Sequence, residues 1–252
     1  MTATLSLIRR HPIKSIGGER IAEVTLQASR PLPGDRLWAL LHEGGERHAA
    51  VDPARWLPKS CFLQGAKAAP LQAVSGGWGT PEPGRMITLS HPELSDLHID
   101  PETQGDALAE WVRPLWPANF PAPTRLVRAT TAWADVSQPY VSILSRATLD
   151  VVERETGLAI GTDRWRGNLW IDGWKPEAER GIIGRILTIG GAELRVVEPI
   201  TRCPATSANT ETGKLDLDMP ATLQKLFGHR DFGVYAQVVT GGTVRIGDEV
   251  VL

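Results

Sequence analysis

The chain has 252 residues with 27 basic and 29 acidic side chains, a formal net charge of −2. That length buries a substantial core in one large domain or two modest ones, and the near balance of charge excludes a broad attraction to nucleic acid or acidic membranes, so any anion site is local. Two cysteines, Cys61 and Cys203, outside any C-x-x-C spacing, exclude a disulfide framework and a four-cysteine metal site, and point to a reducing, cytoplasmic home.

In chain order, "TLSLIRR", "RIAEVTLQ" and "RLWALLHE" read as short strands, followed by "SGGWGTPEPGR" as a Gly/Pro loop before the strand "MITLS". The opening "TATLSLIRRHPIKS" is basic like a transit peptide, yet it fits a first strand and lacks the n-region and h-region of a signal peptide. No apolar stretch approaches the roughly 20 residues that cross a bilayer, so neither a membrane nor a nucleic acid is an expected partner. Asp100-Pro101 opens a helix whose Leu108, Trp111, Val112 and Leu115 share one face up to Pro117, with Gly105 weakening its start. Prolines 114, 117, 121 and 123 favour an extended connector. They set the expected division into an N-terminal domain, 1–122, and a C-terminal domain, 123–252.

Ser145 is placed to cap "RATLDVVERETG", with Gly157 at the position after its end. "NLWIDG" then reads as a strand, and "GRILTIGGAELRVVEPI" as a hairpin turning at Gly190-Gly191. Asp218 and Pro220 open a helix that stops near Gly228, and "GVYAQVV", "GG" and "TVRIGDEVVL" close the chain as strand, turn and strand. Many short strands with few helices predict a mixed α/β, β-rich fold with curled or barrel-like sheets, in which bulky packing accounts for the nine tryptophans.

The six histidines lack zinc-binding spacing, and no glycine-rich phosphate loop is present. Attention therefore falls on "VEPITRCPATSANTETG". Cys203 there reads in three ways: a buried structural thiol, a nucleophile with His229 as base and Asp231 as its orienter, or a thiolate anchor for a metal brought by an organic cofactor. Arg202 and a turn at Pro204 favour thiolate. Such a cofactor is anionic, and Lys14-Ser15 in "HPIKS", Arg36 in "GDRLW", and Arg166 with Asn168 in "RWRGN" are cations and polar groups on turns suited to phosphate and a pterin. Each alone is more often a solvated surface charge.

With these segments in view the chain resembles the MOSC family, the molybdenum cofactor sulfurase C-terminal domain proteins, and within it the two-part members related to mitochondrial amidoxime-reducing components. "HPIKS", "PGDRLW", "QPYVSILSRATLDVVE", "RWRGNLWIDG", "ILTIGGAELRVVEPITRCPAT", "ETG" and "DFGVYAQVVTGGTVRIGDEV" run in family order along nearly the whole length. The resemblance implies an N-terminal β-barrel-like domain and a MOSC domain with a barrel-like, mainly antiparallel sheet and flanking helices, with a molybdenum cofactor (molybdopterin) between them. It implies Cys203 as the catalytic residue and metal ligand. Lys14, Ser15, Arg36, Ser137, Arg166 and Asn168, supported by Arg202, would hold the pyranopterin and its phosphate.

The implied activity is reduction of N-hydroxylated small molecules: amidoximes, hydroxylamines and N-hydroxylated bases. A separate redox protein would supply electrons, because the chain has no cysteine set for an iron–sulfur cluster. The alternative is a non-catalytic carrier of the cofactor or of its sulfur. No residue is assigned to the pyridoxal phosphate association of the family.

Overall fold

Strand periodicity of two, with apolar residues on both faces of several strands, sets the architecture. The computed structural model describes residues 2–50 and 55–252. The first half contains β1 (Thr4–Arg10), β2 (Glu19–Ile21), β3 (Glu23–Leu26), β4 (Trp38–His42), α1 (Glu43–Ala49), β5 (Ser75–Gly77), β6 (Ile87–His91), β7 (Leu94–Ile99) and α2 (Gly105–Val112). After β8 (Pro123–Arg128) come β9 (Val141–Ser145), α3 (Arg146–Thr156), β10 (Leu169–Asp172), β11 (Ile186–Ile189), β12 (Ala192–Thr201), α4 (Met219–Phe227), β13 (Asp231–Thr240), β14 (Gly242–Arg245) and β15 (Val250–Val251).

Eight strands form the main sheet in the order β15-β11-β12-β13-β9-β10-β1-β2. The β9–β10 pair is parallel and the other pairs are antiparallel. Its ends curl together: Thr4 bridges Glu249, and the Val250 N–H donates to the Ala3 carbonyl at 2.8 Å. This contact is an isolated bridge rather than a ladder, so the sheet is barrel-like without being a closed barrel. Leu5, Ile8, Ile143, Leu169, Ile171, Leu194 and Val234 fill the concave side, where the β3–β14 pair adds Val24, Leu26 and Val244. The alternate residues Leu144, Trp170 and Phe232 face outward onto Leu149 and Val152 of α3 and Met219 and Leu223 of α4.

Local signals decide these two helices. The Ser145 hydroxyl accepts the Thr148 N–H at 3.3 Å and Gly157 ends α3 at φ 69°, while Asp218 and Gly228 do the same for α4. Because α3 connects the parallel strands β9 and β10, it must cross over the sheet, and its apolar face covers them.

A second layer comes from the first half. β4 pairs with β8, β5-β6-β7 form a three-stranded sheet, and α2 packs Leu108 and Val112 among Trp38, Leu40, Ile87 and Leu89. Strand pairing crosses the expected 122/123 division in both directions, since β1 and β2 join the main sheet, β3 joins β14, and β8 joins β4.

Several elements differ from the sequence reading. "RIAEVTLQ" divides into β2 and β3, and "TVRIGDEVVL" divides into β14, which pairs with β3, and β15, which pairs with β11. α2 starts five residues after Asp100, which instead accepts the Glu102 N–H at 3.0 Å in a preceding turn. The proline-rich connector holds a 3-10 turn, Arg113–Leu115, and then enters β8. Cys61 lies buried in a 3-10 turn, Lys59–Cys61. The helix α1 was not expected, because its adjacent glycines weaken helix formation. Tertiary contact explains it: a Cβ at Gly45 would stand 2.2 Å from the Cys61 carbonyl oxygen.

Between β10 and β11, Glu179 is 1% exposed, and its carboxyl oxygens accept the Thr148 hydroxyl at 3.2 and 3.3 Å. Burial pushes this carboxyl up from 4.5 to about 7, with Glu177 adding to the effect and Thr148 opposing it. The folded chain thus holds a proton that the unfolded chain has released. Stability should fall as pH rises from about 4.5 to about 7 and level off above, a total of about 3 kcal/mol. In urea denaturation across pH 5 to 8, Glu179→Gln is expected to flatten that slope; equal slopes in parent and variant would remove Glu179 as its source.

Candidate functional site

Three loops approach one cleft through residues with left-handed backbone. Ser15 (φ 62°), Arg36 (φ 51°) and Arg166 (φ 50°) are three of the five non-glycine residues with positive φ among the described residues. Such backbone costs about 1–3 kcal/mol per residue and persists where surrounding bonds over-determine it. The Arg36 N–H donates to the His11 carbonyl at 2.6 Å and its carbonyl accepts the Trp133 N–H at 2.8 Å. Arg166 closes the 3-10 turn Asp163–Trp165. Ser15 sits in the tight loop where the Ile16 N–H donates to the Ile13 carbonyl at 3.3 Å.

The charges are arranged unequally. Arg36 pairs with Asp35 through Nη1 and donates from Nη2 to the Arg166 carbonyl at 2.8 Å. Asp35 also accepts the His11 backbone N–H at 2.8 Å and lies 3.2 Å from His11 Nδ1. Burial alone would raise the Asp35 pKa, but Arg36 and His11 outweigh it and hold the carboxyl well below its usual range. Burial, reinforced by Arg166, pushes His11 well below its ordinary value, so the ring is neutral and the proton sits on Nδ1, facing the carboxylate. Lys14 is buried, donates to the Trp133 carbonyl at 2.9 Å and pairs with Asp135. Burial lowers its pKa, against the pull of Asp135.

Arg166 and Arg202 have carbonyl partners only. Arg166 donates from Nη1 to Gly17 at 2.6 Å and from Nη2 to Ile13 at 3.1 Å. Arg202 donates from Nε to Phe232 at 2.8 Å and from Nη1 to Trp165 at 2.9 Å. Its guanidinium also lies over the rings of those two residues, which stack at 3.7 Å. Neither arginine forms an ion pair with a carboxylate among the described residues. Burial brings Arg166 down to about 9, with Arg36 adding repulsion, and brings Arg202 down to about 10. Two such cations without a paired carboxylate leave a positive charge in the cleft that an anion would balance.

Lys14, Ser15, Arg36, Arg166, Asn168, Arg202 and Cys203 all line this cleft, whose cavity is about 150 Å³. Its lining among the described residues holds six cationic side chains against two carboxylates, in a chain whose net charge is −2. The half-buried Cys203 starts the 3-10 turn Pro204–Ser207, and its carbonyl accepts both the N–H (3.2 Å) and the hydroxyl (2.9 Å) of Thr206. The turn expected at Pro204 is therefore present. Asn168 works inward: its Oδ1 accepts the Ser142 N–H at 3.1 Å and hydroxyl at 2.8 Å, tying the Arg166 loop to β9.

Ser137 is placed elsewhere. It is exposed, 3.4 Å from Gln138 Oε1, and outside the cleft lining, which its neighbours Asp135 and Val136 reach. The chain bends over residues 135–138, which carries Ser137 away from the cleft that Asp135 and Val136 reach. His229 and Asp231 also lie outside the lining. His229 Nε2 meets Glu177 at 2.7 Å and its Nδ1 accepts the Asp231 N–H at 3.2 Å, while Asp231 pairs with Arg180. The Cys203–His229–Asp231 nucleophile is thus not assembled. No group of three or more His, Cys, Asp or Glu able to hold a metal ion occurs among the described residues.

The sequence reading missed His11, Asp35 and Asp135. The signal was electrostatic: a buried lysine or arginine demands a nearby carboxylate, and Asp35 precedes Arg36 in the same turn. It also missed Tyr140 and Tyr235, whose rings lie 5.8 Å apart on the cleft wall.

The chain is similar to known proteins. Residues 133–251 match the family model described as the MOSC domain. Mitochondrial amidoxime-reducing component 1 of Mus musculus is 26% identical over 99% of this chain and 82% of its own length. Molybdenum cofactor sulfurase 2 of Culex quinquefasciatus is 25% identical over 92% of this chain, which spans 34% of that longer protein. Among solved structures, the YUAD protein from Bacillus subtilis aligns over 99% of this chain and 94% of its own at 14% identity, with a TM-score of 0.46. Arg166, Asn168, Arg202 and Cys203 all fall inside the region, residues 133–251, that matches the MOSC domain.

Proposed function

We propose that the cleft binds a molybdenum cofactor and that the protein reduces N-hydroxylated small molecules. The observation that carries this reading is the pair of half-buried guanidinium groups without carboxylate partners, Arg166 and Arg202, in the same cleft as the thiol of Cys203. A phosphate-bearing organic cofactor fits that unbalanced charge, and one that brings its own sulfur ligands requires a single cysteine from the protein. Lys14, Ser15, Arg36 and Arg166 would hold the phosphate and pterin, Arg202 would fix the turn that presents Cys203, and Cys203 would be the metal ligand. Asn168 acts through the loop it ties down.

When bound, the group supplies two-electron oxygen-acceptor chemistry at an open metal face. Converting an amidoxime to an amidine consumes two electrons and two protons and releases one water, so a separate electron-donor protein completes the cycle. The relatives named for amidoxime reduction and for cofactor sulfuration support this class of chemistry. No helix among the described residues is long and apolar enough to cross a membrane. A cytoplasmic setting belongs to the same proposal, alongside a relative named as mitochondrial.

The test is protein made in a cofactor-competent host, assayed for molybdenum, pterin and reduction of benzamidoxime with a chemically reduced donor. About one molybdenum per chain and turnover are expected. Cys203→Ala should lose the metal and activity while its melting temperature stays within a few degrees, since the thiol lies outside the core clusters. Full activity in that variant would show the ligand assignment to be wrong. Molybdenum that passes stoichiometrically to an apo-enzyme without any N-reduction would identify a carrier.

Cofactor-free protein offers a second measurement. Pyrophosphate at 100 times its Kd is expected to stabilise the fold by about 2.7 kcal/mol, read as a rise in melting temperature at low salt. Arg166→Leu should abolish most of that rise; an unchanged rise would place the anion elsewhere.

A further inference from the structure

Between β4 and β5 the chain makes a 3-10 turn, Ala69–Ala73, in which Leu71 and Ala73 serve the core. Gln72 in the same turn is only 6% exposed. A carboxamide carries two donor hydrogens and an acceptor oxygen, and buried polar groups of this kind are nearly always bonded. The Gln72 carboxamide has no hydrogen-bond partner among the described residues, and it lines the cleft. Gly65 makes room for it: a Cβ there would stand 1.8 Å from Gln72 Nε2 and 2.7 Å from its Cδ. The turn Ala69–Ala73 packs directly on the turn Pro204–Ser207 that Cys203 begins. The amide is therefore held on the cleft wall, in a turn packed on the one that Cys203 begins, while Lys14, Arg36 and Arg166 take their partners from Gly17, Ile13, Trp133, Arg166, Asp35 and Asp135.

We propose that Gln72 is a specificity-determining residue that reads the planar amidine end of an N-hydroxylated amidine. That end presents an N–H donor and a nitrogen acceptor in one plane, which a carboxamide can pair with on both sides. A simple hydroxylamine lacks the matched pair. The proposal rests on the reductase reading above. An amide that opens onto the cleft with no protein partner has its donor and acceptor free for a matching substrate, so the group discriminates through binding.

The experiment uses molybdenum-loaded protein with benzamidoxime and N-phenylhydroxylamine as paired substrates, and calorimetric titration of benzamidoxime as a readout independent of turnover. Gln72→Leu is expected to raise the benzamidoxime KM and Kd about tenfold or more, to leave kcat within about twofold, and to change the hydroxylamine KM by less than about twofold. Gly65→Ala, which displaces the amide without removing it, should shift KM and Kd the same way, and Gln72→Asn should lie between parent and Leu variant. Parental KM and Kd in all three variants at full molybdenum content would overturn the proposal. So would a loss of molybdenum or pterin in Gln72→Leu with the benzamidoxime Kd of the loaded fraction unchanged, because that result makes Gln72 a cofactor-holding residue. Parent protein that takes up no molybdenum fails before any variant is compared, and removes the reductase reading itself.

Discussion

Arg36 and Arg166 meet in the cleft where one carboxylate, Asp35, pairs with Arg36 alone of the two, and the remaining site geometry follows from that imbalance. Asp35 neutralises Arg36, whose other terminal nitrogen is committed to the Arg166 carbonyl. Arg166 is left to the carbonyls of Gly17 and Ile13, which offer dipoles but no charge. Those carbonyls belong to the same loop as Lys14 and Ser15, so anchoring one cation also sets the loop that presents the next. Keeping such charges from bulk water carries a cost that an anion in the cleft would offset.

The backbone shares this cost. Ser15, Arg36 and Arg166 adopt left-handed conformations in three separate loops, and each is bound by main-chain hydrogen bonds or by its neighbours. Cys203 differs, since its own backbone is extended and its position comes from Arg202, whose guanidinium is clamped to Phe232 and Trp165. The stacked pair Trp165–Phe232 therefore belongs as much to the site as to the outer core. A MOSC domain matched over residues 133–251 supplies that clamp, while Lys14, Arg36 and Gln72 come from the half before it. The cleft requires both.

Elements governed by neighbours in sequence were legible. Ser145 with Gly157, and Asp218 with Gly228, bound α3 and α4 as their capping chemistry dictates, and Gly190-Gly191 turns the β11–β12 hairpin. Seven of the eight expected site residues face one cleft, because each sits in a turn segment whose pattern is itself recognisable. Ser137 was lost because nothing local distinguishes it from Asp135, two positions earlier, which the buried Lys14 selects through charge.

The sequence by itself determined the β-rich class, the two capped helices, and the thiol and cations at stake, since these depend on turn chemistry, periodicity and residue type. Tertiary structure alone decided what pairs with what. β3 joins β14 across more than two hundred residues, α1 forms despite two glycines because Gly45 fits against Cys61, and Gln72 gains meaning only from the missing side chain of Gly65 and the turn of Cys203. Pairing, burial and the absence of a partner are relations between distant residues. No local pattern encodes them, because the energy that selects them appears only when the layers close.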